Sequence, residues 1–440
     1  MSPRVRRHTT IARRRLSAIA AMTVTTVAAT AVISTVAASA APEGADDTAA
    51  SPISSATDAS GATPVPAAGA AASIPAAADA AAPSHSGHTG SVFATGSLPA
   101  DQWVAGAAQG FRYTYWSRNS AGQPRLSYGT LFTPKGTAPK GGWPVVGWAP
   151  AAAGLADRCS TALTATSPQS TVASKWLADG YAIAATDYAG AGTSGQVDFL
   201  DGKAAANNVV DGVHAAHDIV PTLSKSFVSL GISQGSMASL NLATSSMAGQ
   251  IRASGLDLRA SVAIGIPAYL DQLVSTIAPG LPLALPGGAT ASAVYALAGL
   301  DAARPELKVA SKMTDAGRRW LTRAKTECSG QLAQEISGVA LGSLIDRSMG
   351  TEPALLSALR DYLHLPVLGF STPAMMAQGL ADTDVVMPLT LTYLAAVGLP
   401  SSEVTVKTYP GTSTSTPLAA QADSAAFVNR FLRAKPPTRH

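Results

Sequence analysis

The string Gly231-Ile232-Ser233-Gln234-Gly235 sets one hydroxyl between two glycines, each two residues away. An apolar run, 226–232, leads into it, and a helix-patterned run, 236–247, leads out. At a strand-to-helix junction this spacing is what a nucleophile elbow requires. The glycines let strand and helix close around a strained turn, and the Ser233 hydroxyl is raised at the helix N-terminus. There the Gln234 backbone N–H faces a developing oxyanion, aided by the helix dipole. The chemistry implied is attack of Ser233 on a carbonyl carbon; the competing reading is tight strand-to-helix packing without chemistry.

Such a serine works with an acid and a base. Asp382 follows the apolar run 374–377 through Gly379-Leu380-Ala381, directly after a strand, in the chain order serine, acid, histidine of this fold class. Asp384 is its neighbouring competitor, and a solvated loop carboxylate is the bland alternative. The histidines are His8, His85, His88, His214, His217, His364 and His440. His214 and His217 lie three apart on one helix face and read as helix-surface residues. His364 lies where a long insertion returns to the sheet, and is the substitute base if the chain has one.

The elements that must hold these residues are readable. Runs 111–116 and 125–132, joined by Ser117-Arg118-Asn119-Ser120-Ala121-Gly122, predict an antiparallel hairpin. Short apolar runs at 144–148, 181–186, 226–232, 259–266, 374–377 and 403–409 predict strands buried on both faces. Helical patterns at 171–178, 204–219 and 236–247 alternate with the earlier ones, so the fold class is α/β with a mostly parallel central sheet. Residues 268–364 interrupt the alternation with helical patterns at 289–302, 311–325 and 332–345. They also hold an apolar turn from Pro279 to Gly288. An insertion of this size between strands predicts a helical cap over the strand ends, where ligands bind.

The chain has 440 residues and a formal charge of +4, with 47% hydrophobic and 13% charged residues, a composition of a globular body. Arg4, Arg6, Arg7, Arg13, Arg14 and Arg15 open it, before an apolar stretch and Ala38-Ser39-Ala40. Residues 1–40 are therefore expected to be a cleaved signal peptide and the protein exported, an uncleaved anchor being the alternative. Arg14-Arg15 resembles a twin-arginine signal only weakly. Removing the six arginines turns +4 into −2, which gives no support to nucleic-acid binding through bulk charge. Residues 41–90, rich in Ala, Ser and Pro, are expected to be a disordered linker, and 91–440 the functional body. Cys159 and Cys328 are expected to pair in an exported protein. Neither they nor the histidines have metal-site spacing, and no cofactor is implied.

The body resembles the secretory lipases of the α/β-hydrolase superfamily, the fungal lipase A-like group. The resemblance rests on Trp143-Pro144-Val145-Val146-Gly147-Trp148 with Gly154-Leu155-Ala156-Asp157-Arg158-Cys159, on Thr186-Asp187-Tyr188-Ala189-Gly190-Ala191-Gly192-Thr193, on the serine string, and on Gln378-Gly379-Leu380-Ala381-Asp382. It implies an α/β-hydrolase fold and a lipase or esterase acting on acylglycerols or other acyl esters, with contact to a lipid surface or the cell envelope. It also implies Ser233 as nucleophile, Asp382 as acid, and Asp187 with the Gln234 amide near the oxyanion site. Two positions depart from the family. Thr414, in Tyr409-Pro410-Gly411-Thr412-Ser413-Thr414-Ser415-Thr416-Pro417, stands where the family has its histidine, and a threonine hydroxyl accepts no proton near neutral pH. Ala149-Pro150-Ala151-Ala152-Ala153 stands where the family has a His-Gly pair, and proline has no N–H to donate. A second reading follows, that of a hydrolase-fold protein which binds an acyl ligand or an envelope partner without turnover.

Overall fold

The computed structural model describes residues 88–159, 161–398 and 403–432. The expectations for residues 1–40 and for the linker up to residue 87 lie outside the described residues, as do those for His8, His85 and His440. Among the described residues, no helix is long and apolar enough to cross a membrane.

Nine strands form one sheet: β1 (Val92–Ser97), β2 (Ala107–Arg118), β3 (Pro124–Pro134), β4 (Trp143–Ala149), β5 (Ala182–Ala189), β6 (Leu223–Ile232), β7 (Asp257–Ile264), β8 (Ala374–Gly379) and β9 (Val404–Tyr409). Their order across the sheet is β1-β2-β3-β5-β4-β6-β7-β8-β9. The β1, β2, β3 and β5 neighbours are antiparallel, and every pair from β5 across to β9 is parallel. The hairpin expected between residues 111 and 132 is β2–β3. Asn119 closes it by accepting the Ala121 and Gln123 amides on Oδ1 at 3.1 and 2.9 Å, with Gly122 at φ 74.

Helices cover both faces: α1 (Ser170–Ala178), α2 (Gly202–Ile219), α3 (Gln234–Leu242), α4 (Ser245–Ala253), then, after the cap, α10 (Met387–Gly398), α11 (Thr416–Ala419) and α12 (Gln421–Leu432). One core joins Trp148, Trp176, Phe132, Val146, Ile183 and Phe427, and a smaller one joins Leu240, Ile266, Met376 and Tyr393. Each such side chain stabilises the fold by roughly 1.5–3 kcal/mol. The cap carries α5 (Leu270–Thr276), α6 (Gly287–Ala303), α7 (Asp315–Ala324), α8 (Ser329–Glu335) and α9 (Pro353–Tyr362). Its apolar turn pairs with residues 340–342: Leu341 N donates to Leu283 O at 2.8 Å and Gly342 N to Leu281 O at 3.2 Å.

Three local expectations need correction and one strand is new. β1 was not anticipated; its alternation of half-buried and exposed residues over Val-Phe-Ala-Thr-Gly-Ser is a faint strand signal. The helix expected over 236–247 is two helices, because Ala243 O accepts Ser371 N and Thr372 N from outside and Thr244 is extended. The helix expected over 311–325 starts only at Asp315, because Thr314 caps it by accepting Gly317 N. The helix expected over 332–345 ends at Glu335, and Gly338 at φ 78 turns the chain away.

Candidate active site

The elbow is built by steric exclusion. A Cβ on Gly231 would run into Gly235 O, and a Cβ on Gly235 would run into Ala149 O at the end of β4. Two glycines are what allow β6, α3 and β4 to meet there. Between them Ser233 is forced to φ 52 and ψ −114, a backbone region that holds a non-glycine residue at a cost of about 1–3 kcal/mol. Its main chain is pinned on both sides. Ser233 N donates to Ile264 O at 2.8 Å, and Ser233 O accepts Ser236 N at 2.8 Å and Ser236 Oγ at 2.6 Å. Ser233 is part-exposed between buried Ile232 and Gln234, and its Oγ has no hydrogen-bond partner among the described residues.

Gln234 opens α3, so its backbone N–H is one of the helix-start amides left without an intrahelical acceptor. Its side chain is 1% exposed and accepts Leu200 N on Oε1 at 2.9 Å. Leu200 sits at φ 65, just before α2. Phe199, in the same segment, stacks on Tyr295 of α6 with ring centroids 4.7 Å apart.

Asp382 ends a turn from the tip of β8. It is 5% exposed and its Oδ2 lies 3.4 Å from where a Cβ on Gly265 would stand, and Gly265 immediately follows Ile264, the residue that pins Ser233. Elbow and carboxylate therefore share the tip of β7. Asp382 Oδ1 accepts Asp384 N at 2.9 Å and Oδ2 accepts Gln378 Nε2 at 3.4 Å. Burial above all raises its pKa. Asp384 is exposed and its carboxylate lies against Gly288 at the start of α6.

The loop after β9 runs beside this acid turn: Leu380 N donates to Tyr409 O at 2.8 Å and Ala381 N to Gly411 O at 3.0 Å. Thr414 is exposed there, its hydroxyl 3.0 Å from Thr412 Oγ1. Ser415 Oγ accepts Thr412 N at 2.9 Å, so the loop is closed by its own hydroxyls. His364 is exposed and stands near Lys203 and Asp361; burial, then Lys203, lowers its pKa. Its carbonyl accepts Asn241 Nδ2 at 3.3 Å. Asn241 is eight residues beyond Ser233, about 12 Å along α3 at 1.5 Å per residue. The structure thus brings Ser233, Gln234 and Asp382 together and leaves the His364 main chain at the other end of that helix. His214 and His217 are on α2, and His88 is exposed before β1.

Asp187 sits near the tip of β5, 2% exposed, with its Oδ2 2.6 Å from Arg112 Nη2 on β2. The neighbouring Tyr188, at φ 68, donates its hydroxyl to Pro150 O at 2.6 Å and so holds the loop after β4. On its far side that loop is tied to the cap: Cys159 and Cys328 are disulfide-bonded, and Ser329 N donates to Ala153 O at 2.7 Å. Sequence reasoning missed Leu200, Tyr188 and Phe199, whose roles arise only when distant segments meet.

A nine-stranded sheet, parallel after an antiparallel start, with a glycine-flanked serine at the tip of β6 and a helical insertion between β7 and β8, decides the architecture. The fold is that of an α/β-hydrolase. Solved structures of similar α/β-hydrolase shape include lipase A of Candida antarctica in its closed state, 16% identical, with a TM-score of 0.65 over 80% of this chain and 84% of that one. The rice cell wall degrading esterase LipA of Xanthomonas oryzae is 15% identical, with a TM-score of 0.62 over 79% and 99%. A putative hydrolase of Legionella pneumophila is 14% identical, with a TM-score of 0.55 over 76% and 90%. No family model matches the sequence, and no curated protein does. The likeness is therefore one of α/β-hydrolase fold.

Proposed function

We propose that the protein is an exported, lipase- or esterase-like serine hydrolase acting on carboxylic esters, acylglycerols or other acyl esters. The observation that carries this reading is the backbone of Ser233, held at φ 52 and ψ −114 by a glycine pair, two main-chain hydrogen bonds and one from the Ser236 hydroxyl. Backbone strain of this kind clusters at active sites. Ser233 Oγ attacks the ester carbonyl and the Gln234 amide stabilises the oxyanion. The alcohol leaves with a proton taken from water, and a second water hydrolyses the acyl-enzyme to free the carboxylic acid and Ser233. Asp382 is the acid of the site. With Thr414 in the base position, the Ser233 proton passes to water or hydroxide, so turnover is slow and rises with pH. His364, proposed as a base from the sequence alone, is the other acceptor of that proton. The Cys159–Cys328 bond supports export, and a signal peptide at 1–40 with a linker at 41–90 completes the proposal.

One observation favours a second reading, an acyl-binding protein without turnover: the base loop is closed by mutual hydrogen bonds of Thr412, Thr414 and Ser415. Hydrolysis of p-nitrophenyl butyrate by the mature chain, beside Ser233→Ala and His364→Ala, separates the readings. Turnover lost with Ser233→Ala supports the enzyme, and equal negligible rates support the binder. A rate unchanged by His364→Ala removes that ring from the reaction.

A further inference from the structure

The longest helix of the cap, α6, is braced differently along its length. From its middle onward it is moored beside a covalent bond. Tyr295 donates its hydroxyl to Glu327 O at 2.7 Å, next to the Cys159–Cys328 disulfide, and stacks on Phe199. Gly299 lies against the same segment, where a Cβ would fall 3.3 Å from Phe199 N.

The start of α6 meets the acid turn instead. Its N-cap, Pro286, offers no side-chain acceptor to the first amides of the helix. A Cβ on Gly287 would run into Ala333 O of α8, and one on Gly288 into Asp384 Oδ1, with Asp384 Cα 3.1 Å away. The glycine pair that closes the apolar turn is thus chosen by close approach on two sides, one within the cap and one to the body. A carboxylate at a helix start is favoured by the helix dipole. Asp384 also holds the acid of the site, for its backbone N–H donates to Asp382 Oδ1 at 2.9 Å. One residue therefore touches the cap with its side chain and Asp382 with its main chain.

We propose that Asp384 is a positioning residue: it latches the start of α6 to the turn of Asp382, so that seating of the cap and placement of the acid are one event. This rests on the reading of Asp382 as the acid of an ester-hydrolysing site. The sequence offers Asp384 as the rival acid, and here it serves Asp382 without replacing it. Because the Tyr295 region is moored beside a disulfide and the Gly288 end by a carboxylate, the Gly288 end is the one that lifts.

The test is hydrogen exchange, read by mass spectrometry on the mature chain and on its Gly288→Ala, Asp384→Ala and doubly substituted forms. Gly288→Ala alters only the cap, yet it is expected to speed exchange of the acid turn, residues 380–386, about tenfold. Asp384→Ala is expected to speed exchange at the start of α6, residues 289–293, by about two- to fivefold, the scale of a charge at a helix start. With Asp384 shortened, the added methyl loses its main obstacle, so the double variant should fall well below the product of the single effects. Exchange across β6 and β7 should stay as in the parent chain. An acid turn unmoved by Gly288→Ala, effects that multiply, or faster exchange through β6 and β7 overturns the latch. Asp384 is exposed, so its substitution carries the test alone if Gly288→Ala does not fold, and an unchanged α6 start then overturns it. For p-nitrophenyl butyrate, Asp384→Ala is expected to lower kcat about three- to tenfold with KM moved less than about twofold. An unchanged kcat removes Asp384 from the reaction and overturns its positioning role. A parent chain without turnover whose two segments still exchange together counts against the hydrolase reading and leaves the latch standing.

Discussion

The tips of β6 and β9 lie on the same sheet and differ in what the fold demands of them. At β6 every main-chain atom of Ser233 that can bond is bonded, and two glycines are fixed by the carbonyls they would otherwise strike. At β9 the loop of Thr412 to Ser415 is exposed and held by its own hydroxyls. An elbow is a packing solution as well as a chemical one, so sterics preserve it. A base on an exposed loop is a chemical solution only, and nothing in the packing requires a histidine at position 414.

That contrast has consequences that can be measured. The largest effect is expected from Thr414→His: if only the base is wanting, p-nitrophenyl ester turnover should rise by about 10²–10⁴, with a new inflection in its pH profile near the histidine range. An unchanged rate would mean that the β9 loop does not face the elbow in the way the comparison assumes. Gly235→Ala should destabilise the protein by about 3 kcal/mol in denaturant unfolding, since its Cβ meets the rigid Ala149 carbonyl. A loss below about 1 kcal/mol would show the elbow to be less constrained than its geometry says.

A third effect lies away from both tips, where the β2–β3 turn meets the segment leading into α2. Asp198 accepts Ser120 N and Asp211 accepts Ser117 Oγ, and burial pushes each carboxyl up to about 6. A carboxyl whose pKa is raised by folding binds more protons in the native state. Its stabilisation is full below its unfolded pKa near 4 and is lost as pH rises through about 6. Thermal melts should therefore show stability falling between pH 4 and pH 6, by up to about 1.4 kcal/mol per unit of raised pKa. Asp198→Asn with Asp211→Asn should flatten that slope; a slope unchanged in the double variant would assign it elsewhere. The smallest effect is expected from Ser233→Gly, which should stabilise by about 1 kcal/mol by releasing the positive φ while removing the hydroxyl. A stability equal to that of Ser233→Ala would indicate that the turn is not strained.

Much of this architecture is legible in the sequence, because continuous apolar runs such as Val145–Trp148 and Phe227–Ile232 leave few alternatives to buried parallel strands. The elbow is legible from its spacing: Gly231 is chosen by Gly235 and Ser239, a few residues on, although Gly235 is chosen by Ala149 of a distant strand. The acid turn could be read from its place after β8. What escaped were features decided by distant neighbours. Ala243 loses its helix to Ser371 and Thr372, and Leu200 takes φ 65 with its amide on the Gln234 side chain. Asp187 turns to Arg112, 75 residues earlier, and no local pattern announces that partnership.

The bond between Cys159 and Cys328 joins positions 169 residues apart. It encloses β5, β6, β7 and the first half of the cap in one covalent ring. The exposed Pro279, Gly280 and Pro282 of the apolar turn fall inside that ring. A protease nick there opens a circle without releasing a fragment, so the cut protein migrates as a single species until a reductant divides it in two.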